Sequence, residues 1–85
     1  MIVYGTNLCP DYIELEETFQ REGIEYEYIN ITESIANLKA FLAYRDTRPE
    51  FELIKANGSV GVPCIIFEDG EIIFDMQEAV NKYNK

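Results

Sequence analysis

Cys9 is followed directly by Pro10, just after a short apolar run, Ile2-Val3-Tyr4, is broken by Gly5-Thr6-Asn7. Proline fits the first turn of a helix, where its missing N–H would have had no partner. The pair therefore marks a loop-to-helix junction with the cysteine at its mouth. The free N–H groups of a first helical turn favour a thiolate, and the thiolate is the form that attacks a disulfide. A buried sulfur would be only a small apolar side chain. The junction favours the reactive role.

Two further positions bear on that sulfur. Val62-Pro63 heads a strand-like run from Val62 to Phe67. Proline cannot sit inside a ladder but can open a strand, and a cis bond is accessible there. The plain alternative is a trans proline at a strand edge. Cys64 follows, and strand alternation turns its side chain away from that of Pro63. A disulfide needs Cα atoms within about 7 Å and converging Cβ vectors. Cys64 is therefore expected as a buried structural thiol, with an unconventional resolving thiol as the sharper alternative. Tyr12 shares a helix face with Leu15 and Phe19. It is core by that spacing, with a phenol that could also reach the sulfur, because a half-buried tyrosine keeps a polar tip.

The elements that must position these residues can be read in order. Ile2-Val3-Tyr4 suits a buried strand. A helix starts at Pro10, carries acids in its first half where the macrodipole favours them, and is capped by Gly23. Ile24 to Ile29 alternates as a second strand. Thr32 or Ser34 caps a helix with Ile35, Leu38, Phe41 and Leu42 on one face. Arg48-Pro49 breaks it, and a shorter helix with Phe51, Leu53 and Ile54 stops at Asn57-Gly58. Val62 to Phe67 and Glu71 to Phe74 form a hairpin around Asp69-Gly70. Asp75-Met76-Gln77-Glu78 resembles a capping box for a last helix with Met76, Ala79, Val80 and Tyr83 at i, i+3, i+4 and i+7. The order β-α-β-α-(α)-β-β-α predicts a single α/β domain over residues 1–85. A right-handed parallel crossover and a hairpin give a four-stranded mixed sheet with helices on both faces.

Charge limits the function. Seven basic against sixteen acidic residues give a net charge of −9, with no His. Such a chain repels phosphate backbones, so no nucleic-acid partner is expected. Without His there is no imidazole base, and two Cys cannot close a zinc site, so no metal is expected. No signal peptide and no bilayer-spanning run are seen, which points to a cytoplasmic protein with reduced thiols and no membrane partner. Residues 1–38 hold eight acids and one base, Arg21. The one basic stretch holds Lys39, Arg45, Arg48 and Lys55. Arg45, Arg48 or Lys55 could supply a cation to an anionic ligand, although surface charges usually carry no site.

The ordered set of strand, Cys9-Pro10-Asp11-Tyr12, helix, strand, helix, Val62-Pro63, hairpin and helix resembles the glutaredoxin family over essentially the whole chain. The resemblance implies a thioredoxin-like fold and a cis bond at Val62-Pro63 beside Cys9. It implies Cys9 as the nucleophile that takes glutathione, the co-substrate, in a mixed disulfide. Val62 would pair with the glutathione backbone beside Pro63 and Tyr12, and Asp75 would lie near the glutamyl end. The partners would be glutathione or a glutathionylated protein, handled by a monomer. The chain departs from the family in four places. Tyr12 replaces the second Cys of C-x-x-C, so only a monothiol cycle is available. No Lys precedes Cys9. The Gly-Gly before the last helix is absent, with Ile73-Phe74 or Phe74-Asp75 there instead. The segment before Val62-Pro63 is longer.

The expected function is thus a monothiol thiol–disulfide oxidoreductase acting on mixed disulfides of glutathione or another low-molecular-weight thiol. The alternative is a non-catalytic binding module with an altered redox site. A third possibility, an iron–sulfur carrier, fits poorly, because such monothiol members follow their Cys with small residues and Pro10-Asp11-Tyr12 stands here.

Overall fold

Ile2-Val3-Tyr4 and Gly5 form strand β1 (Ile2–Gly5) in the computed structural model, which describes residues 1–85. Helix α1 (Pro10–Arg21) begins at the proline, as the junction predicts. It ends in a Schellman motif. The Gly23 N–H donates to the Gln20 carbonyl and the Ile24 N–H to that of Phe19. Gly23 takes φ +70° to allow this, a conformation that costs other residues dearly.

That cap corrects the second strand. Ile24 is spent plugging the end of α1, buried in the same cluster as Phe19. Sheet pairing starts only where the Glu27 N–H reaches the Met1 carbonyl. Strand β2 is therefore Glu27–Asn30, three residues shorter at its start than the alternation suggests.

Helix α2 (Ile35–Arg45) is capped by Ser34, whose hydroxyl accepts from the Asn37 N–H. Phe41 is its only fully buried residue, and Ile35 is 67% exposed. Pro49–Phe51 form a 3-10 turn leading into the short helix α3 (Glu52–Ala56). Phe51 turns inward there, while Leu53 stays in solvent at 78% exposure. Strand β3 is Cys64–Ile66 and β4 is Ile72–Ile73, both shorter than their sequence patterns. Asp75 caps α4 (Met76–Tyr83) by accepting from the Gln77 N–H. Glu78 makes no return bond, so the predicted capping box is half formed.

The sheet is four-stranded, open and mixed, in the order β2-β1-β3-β4. β1 runs parallel to β2 and antiparallel to β3, which is antiparallel to β4. Alternation along the strands sorts the core into two clusters. Val3, Ile65 and Ile73 face α1 and α4 through Leu15, Phe19, Ala79 and Val80. Tyr4, Cys64, Ile66 and Ile72 face Phe41 and Phe51. Helices thus cover both faces. Each fully buried Leu or Phe contributes roughly 1.5–3 kcal/mol. On the second face, rings add edge contacts: Phe41 to Phe51 at 5.8 Å and Phe51 to Phe74 at 4.9 Å. No helix is long and apolar enough to cross a membrane.

Candidate functional site

One end of the sheet gathers the residues singled out by the sequence. The last pair of β1 with β3 is Tyr4 with Cys64. One step further in that register, Gly5 faces Pro63. β3 pairs Ile65 with Ile73, and two steps on, Pro63 faces Asp75. The N-termini of α1 and α4 open at this same end.

The loop from Thr6 to Cys9 is tied down locally. The Leu8 N–H donates to Thr6 Oγ1 at 3.2 Å, and the Cys9 N–H donates to the Thr6 carbonyl at 3.0 Å. Thr6 Oγ1 lies 2.8 Å from Thr32 Oγ1, whose own proton goes to Asn30 Oδ1 at 2.7 Å. The loop is thereby fastened to the chain leaving β2. Cys9 is the N-cap of α1, in extended backbone. Its carbonyl accepts from the Tyr12 and Ile13 N–H groups at 3.1 and 3.2 Å. Its sulfur makes no capping bond to the first-turn amides. The side chain is half-buried against the core cluster of α1 and α4.

Tyr12 is core. It is 1% exposed, and its hydroxyl lies 2.9 Å from that of Tyr26. Its ring stacks on Tyr28 at 4.4 Å. It also lies flat against β1: a Cβ on Gly5 would stand 2.6 Å from the ring. The hydrogen-bond partner of the phenol is thus Tyr26, not Cys9. Burial first, and then the bond to Tyr26, hold the phenol well above the ordinary tyrosine range.

Beside the Cys9 loop lies a groove of about 410 Å³. Val62, Pro63 and Asp75 line it, together with Phe74 and Met76; Cys9 and Tyr12 do not. Asp11, two residues after the sulfur, forms the wall nearest to Cys9 in sequence. The Val62–Pro63 peptide is cis. Gly61 precedes it at φ +101°, and a Cβ there would stand 3.0 Å from the Phe51 ring. Both facts reserve the position for glycine.

The basic stretch does not reach the groove. Arg45 donates from Nε to the Val60 carbonyl at 2.8 Å and from Nη2 to the Ser59 carbonyl at 2.7 Å. It serves as a clamp on the loop that leads to Val62. Arg48 pairs with Glu50 at 3.0 Å and Lys55 with Glu52 at 3.5 Å. The groove is instead walled by Asp11, Glu14 and Asp75. The sequence marks Glu14 only as an acid of the first half of α1, although its i, i+3 spacing from Asp11 places both on one helix face.

Cys64 is fully buried among Tyr4, Phe41 and Ile66, in the cluster opposite the one that Cys9 touches. Burial pushes its thiol up to about 12.

Fold and site together define a small α/β domain with a half-buried cysteine capping a helix beside an acidic groove. The chain is 32% identical over 77 residues to an uncharacterized protein of Haemophilus influenzae, across 91% of this chain and 90% of the relative. It belongs to the same family as that protein. No protein-family model and no solved structure matches the chain.

Proposed function

We propose that this chain is a monothiol thiol–disulfide oxidoreductase of the glutaredoxin type, with a thioredoxin-like fold, acting as a monomer in the cytoplasm. The observation that carries the proposal is the position of Cys9. It caps α1 at the sheet end where the Val62-Pro63 segment and the groove also lie. The Cys9 thiolate attacks one sulfur of a mixed disulfide between a protein and glutathione or another low-molecular-weight thiol. A new S–S bond forms to Cys9 as the old one breaks, and the protein leaves as its thiolate. A second small thiolate then attacks the Cys9 mixed disulfide. It departs with its partner as a symmetric disulfide and regenerates the Cys9 thiolate. Tyr12 stands where a second cysteine would be, so the small thiol must do the resolving. Val62 and Pro63 form the wall against which the substrate disulfide lies, with Asp75 at the far end.

Cys9→Ser is expected to abolish turnover of a glutathionylated model peptide with a thiol reductant. Undiminished turnover in that variant ends the proposal. A second possibility, a non-catalytic binding module, draws on the sulfur making no bond to the first-turn amides. It requires peptide or thiol binding that survives Cys9→Ser, with no turnover in the parent protein.

A further inference from the structure

The groove beside Cys9 has a definite charge. Its floor is apolar, from Ile54, Val62 and Phe74. Its charged wall is made only of carboxylates: Asp11 and Glu14 from α1, and Asp75 from the start of α4. None of the seven basic residues lines it. The cations nearest in sequence are committed elsewhere, Arg45 to two loop carbonyls, Arg48 to Glu50 and Lys55 to Glu52. Lys82 is held at the β3–β4 turn by Asp69 and Glu71, at 2.7 and 2.6 Å. No carboxylate in the groove is neutralised by a neighbour. A ligand that enters must therefore bring the positive charge itself.

We propose that the groove selects disulfides of cationic thiols, an amine-bearing thiol or a cysteine flanked by basic residues, over net-anionic disulfides such as that of glutathione. This rests on Cys9 acting as the nucleophile proposed above. The ammonium of the incoming group lies among Asp11, Glu14 and Asp75 while its disulfide meets the Cys9 sulfur. The chemistry is one exchange: the Cys9 thiolate forms a new S–S bond to the amine-bearing half. The old S–S bond breaks, and the other half leaves as a thiolate that takes a proton from water. Leu8, immediately before Cys9, is 76% exposed and brings no charge to the loop.

Three symmetric disulfides decide the matter: dicationic cystamine, neutral hydroxyethyl disulfide and net-anionic glutathione disulfide. Single-turnover adduct formation at Cys9 is followed by intact mass, and each rate is divided by that of a small neutral thiol with the same disulfide. The normalised cystamine rate is expected to exceed that of glutathione disulfide by about tenfold or more at low salt. It should converge on it above about 0.5 M salt as screening shortens the reach of the carboxylates. The Asp11→Asn/Glu14→Gln double variant should narrow the ratio severalfold. Glu25→Gln/Glu68→Gln makes the same change in net charge at the opposite end of the sheet and should leave the ratio unchanged. Equal normalised rates, an anion preference, or a ratio lowered equally by both double variants overturns the selectivity while leaving Cys9 as a nucleophile. No adduct with any of the three removes the nucleophile, and the selectivity with it.

Discussion

The Tyr12 hydroxyl lies 2.9 Å from that of Tyr26, so the residue three past Cys9 joins α1 to the chain entering β2. Tyr12 fills the place of a resolving cysteine with a structural ring, stacked on Tyr28 and pressed against Gly5. Installing a thiol there therefore costs stability before it adds chemistry. Tyr12→Cys should destabilise the domain by about 3–5 kcal/mol, the usual cost of truncating a buried aromatic. Tyr12→Phe should cost only about 1 kcal/mol, for the lost hydroxyl pair. Urea midpoints of the two variants compared with the parent decide this, and a Tyr12→Cys midpoint equal to that of Tyr12→Phe would refute it.

The same phenol sets an alkaline limit. Tyr12, Tyr4 and Tyr28 are all held above the ordinary value of 10.0, in each case first by burial. A raised folded value means that the protonated phenol is favoured in the folded state. That stability is complete below the unfolded value and is lost as pH rises toward and through the folded one. Cys64, pushed up to about 12 by burial, acts in the same sense from an unfolded value of about 8.5. The urea midpoint should therefore hold steady between about pH 7 and 8, begin to fall above about 8.5 and fall more steeply above about 10. Tyr12→Phe should show a shallower fall, leaving the share of Tyr4, Tyr28 and Cys64. A midpoint that is flat to about pH 12 would contradict this.

Cys9 and Cys64 touch cores on opposite faces of the sheet. The two sulfurs cannot meet without dismantling β3. Mild oxidation of the monomer should leave its mass unchanged by any loss of two hydrogens. Alkylation of the native protein near pH about 8.5, the free-thiol range, should add one group, at Cys9. The Cys64 thiol, pushed up to about 12 and fully buried, should react only on unfolding. Two adducts on the native chain, or an internal disulfide, would restore Cys64 as a resolving thiol.

Local signals in the sequence were faithful to the structure. Pro10 opened α1, Gly23 closed it, Ser34 and Asp75 capped their helices, and Asn57-Gly58 ended α3. Each depends on neighbours a few residues away. What the sequence concealed depended on distant partners. Ile24 looked like the first residue of an alternating strand, but it was claimed by Phe19 in the cap of α1. Ile35 and Leu53 fitted a helical stripe, but no element lies over them. Arg45 looked like a free cation, yet its partners are two carbonyls 14 and 15 residues along the chain. The thiol signal at Cys9 was legible as a loop-to-helix junction. The charge of the groove was not, because Asp11 and Glu14 line one cleft with Asp75 only in the folded chain.

The place of β1 at the centre of the sheet also orders events in time. β1 is made first, yet the strand on its second side, β3, ends at Ile66. At ordinary synthesis rates that edge stays unpaired for several seconds, about 3–12 s for the intervening residues. An open edge of this kind invites pairing with other chains. Residues 1–30 can form β1, α1 and β2 early, but the walls of the groove come from both ends of the chain. The cleft is thus absent until Phe74, Asp75 and Met76 have been made, and from any form cut before them. A partner that recognises it meets only chains made past that point.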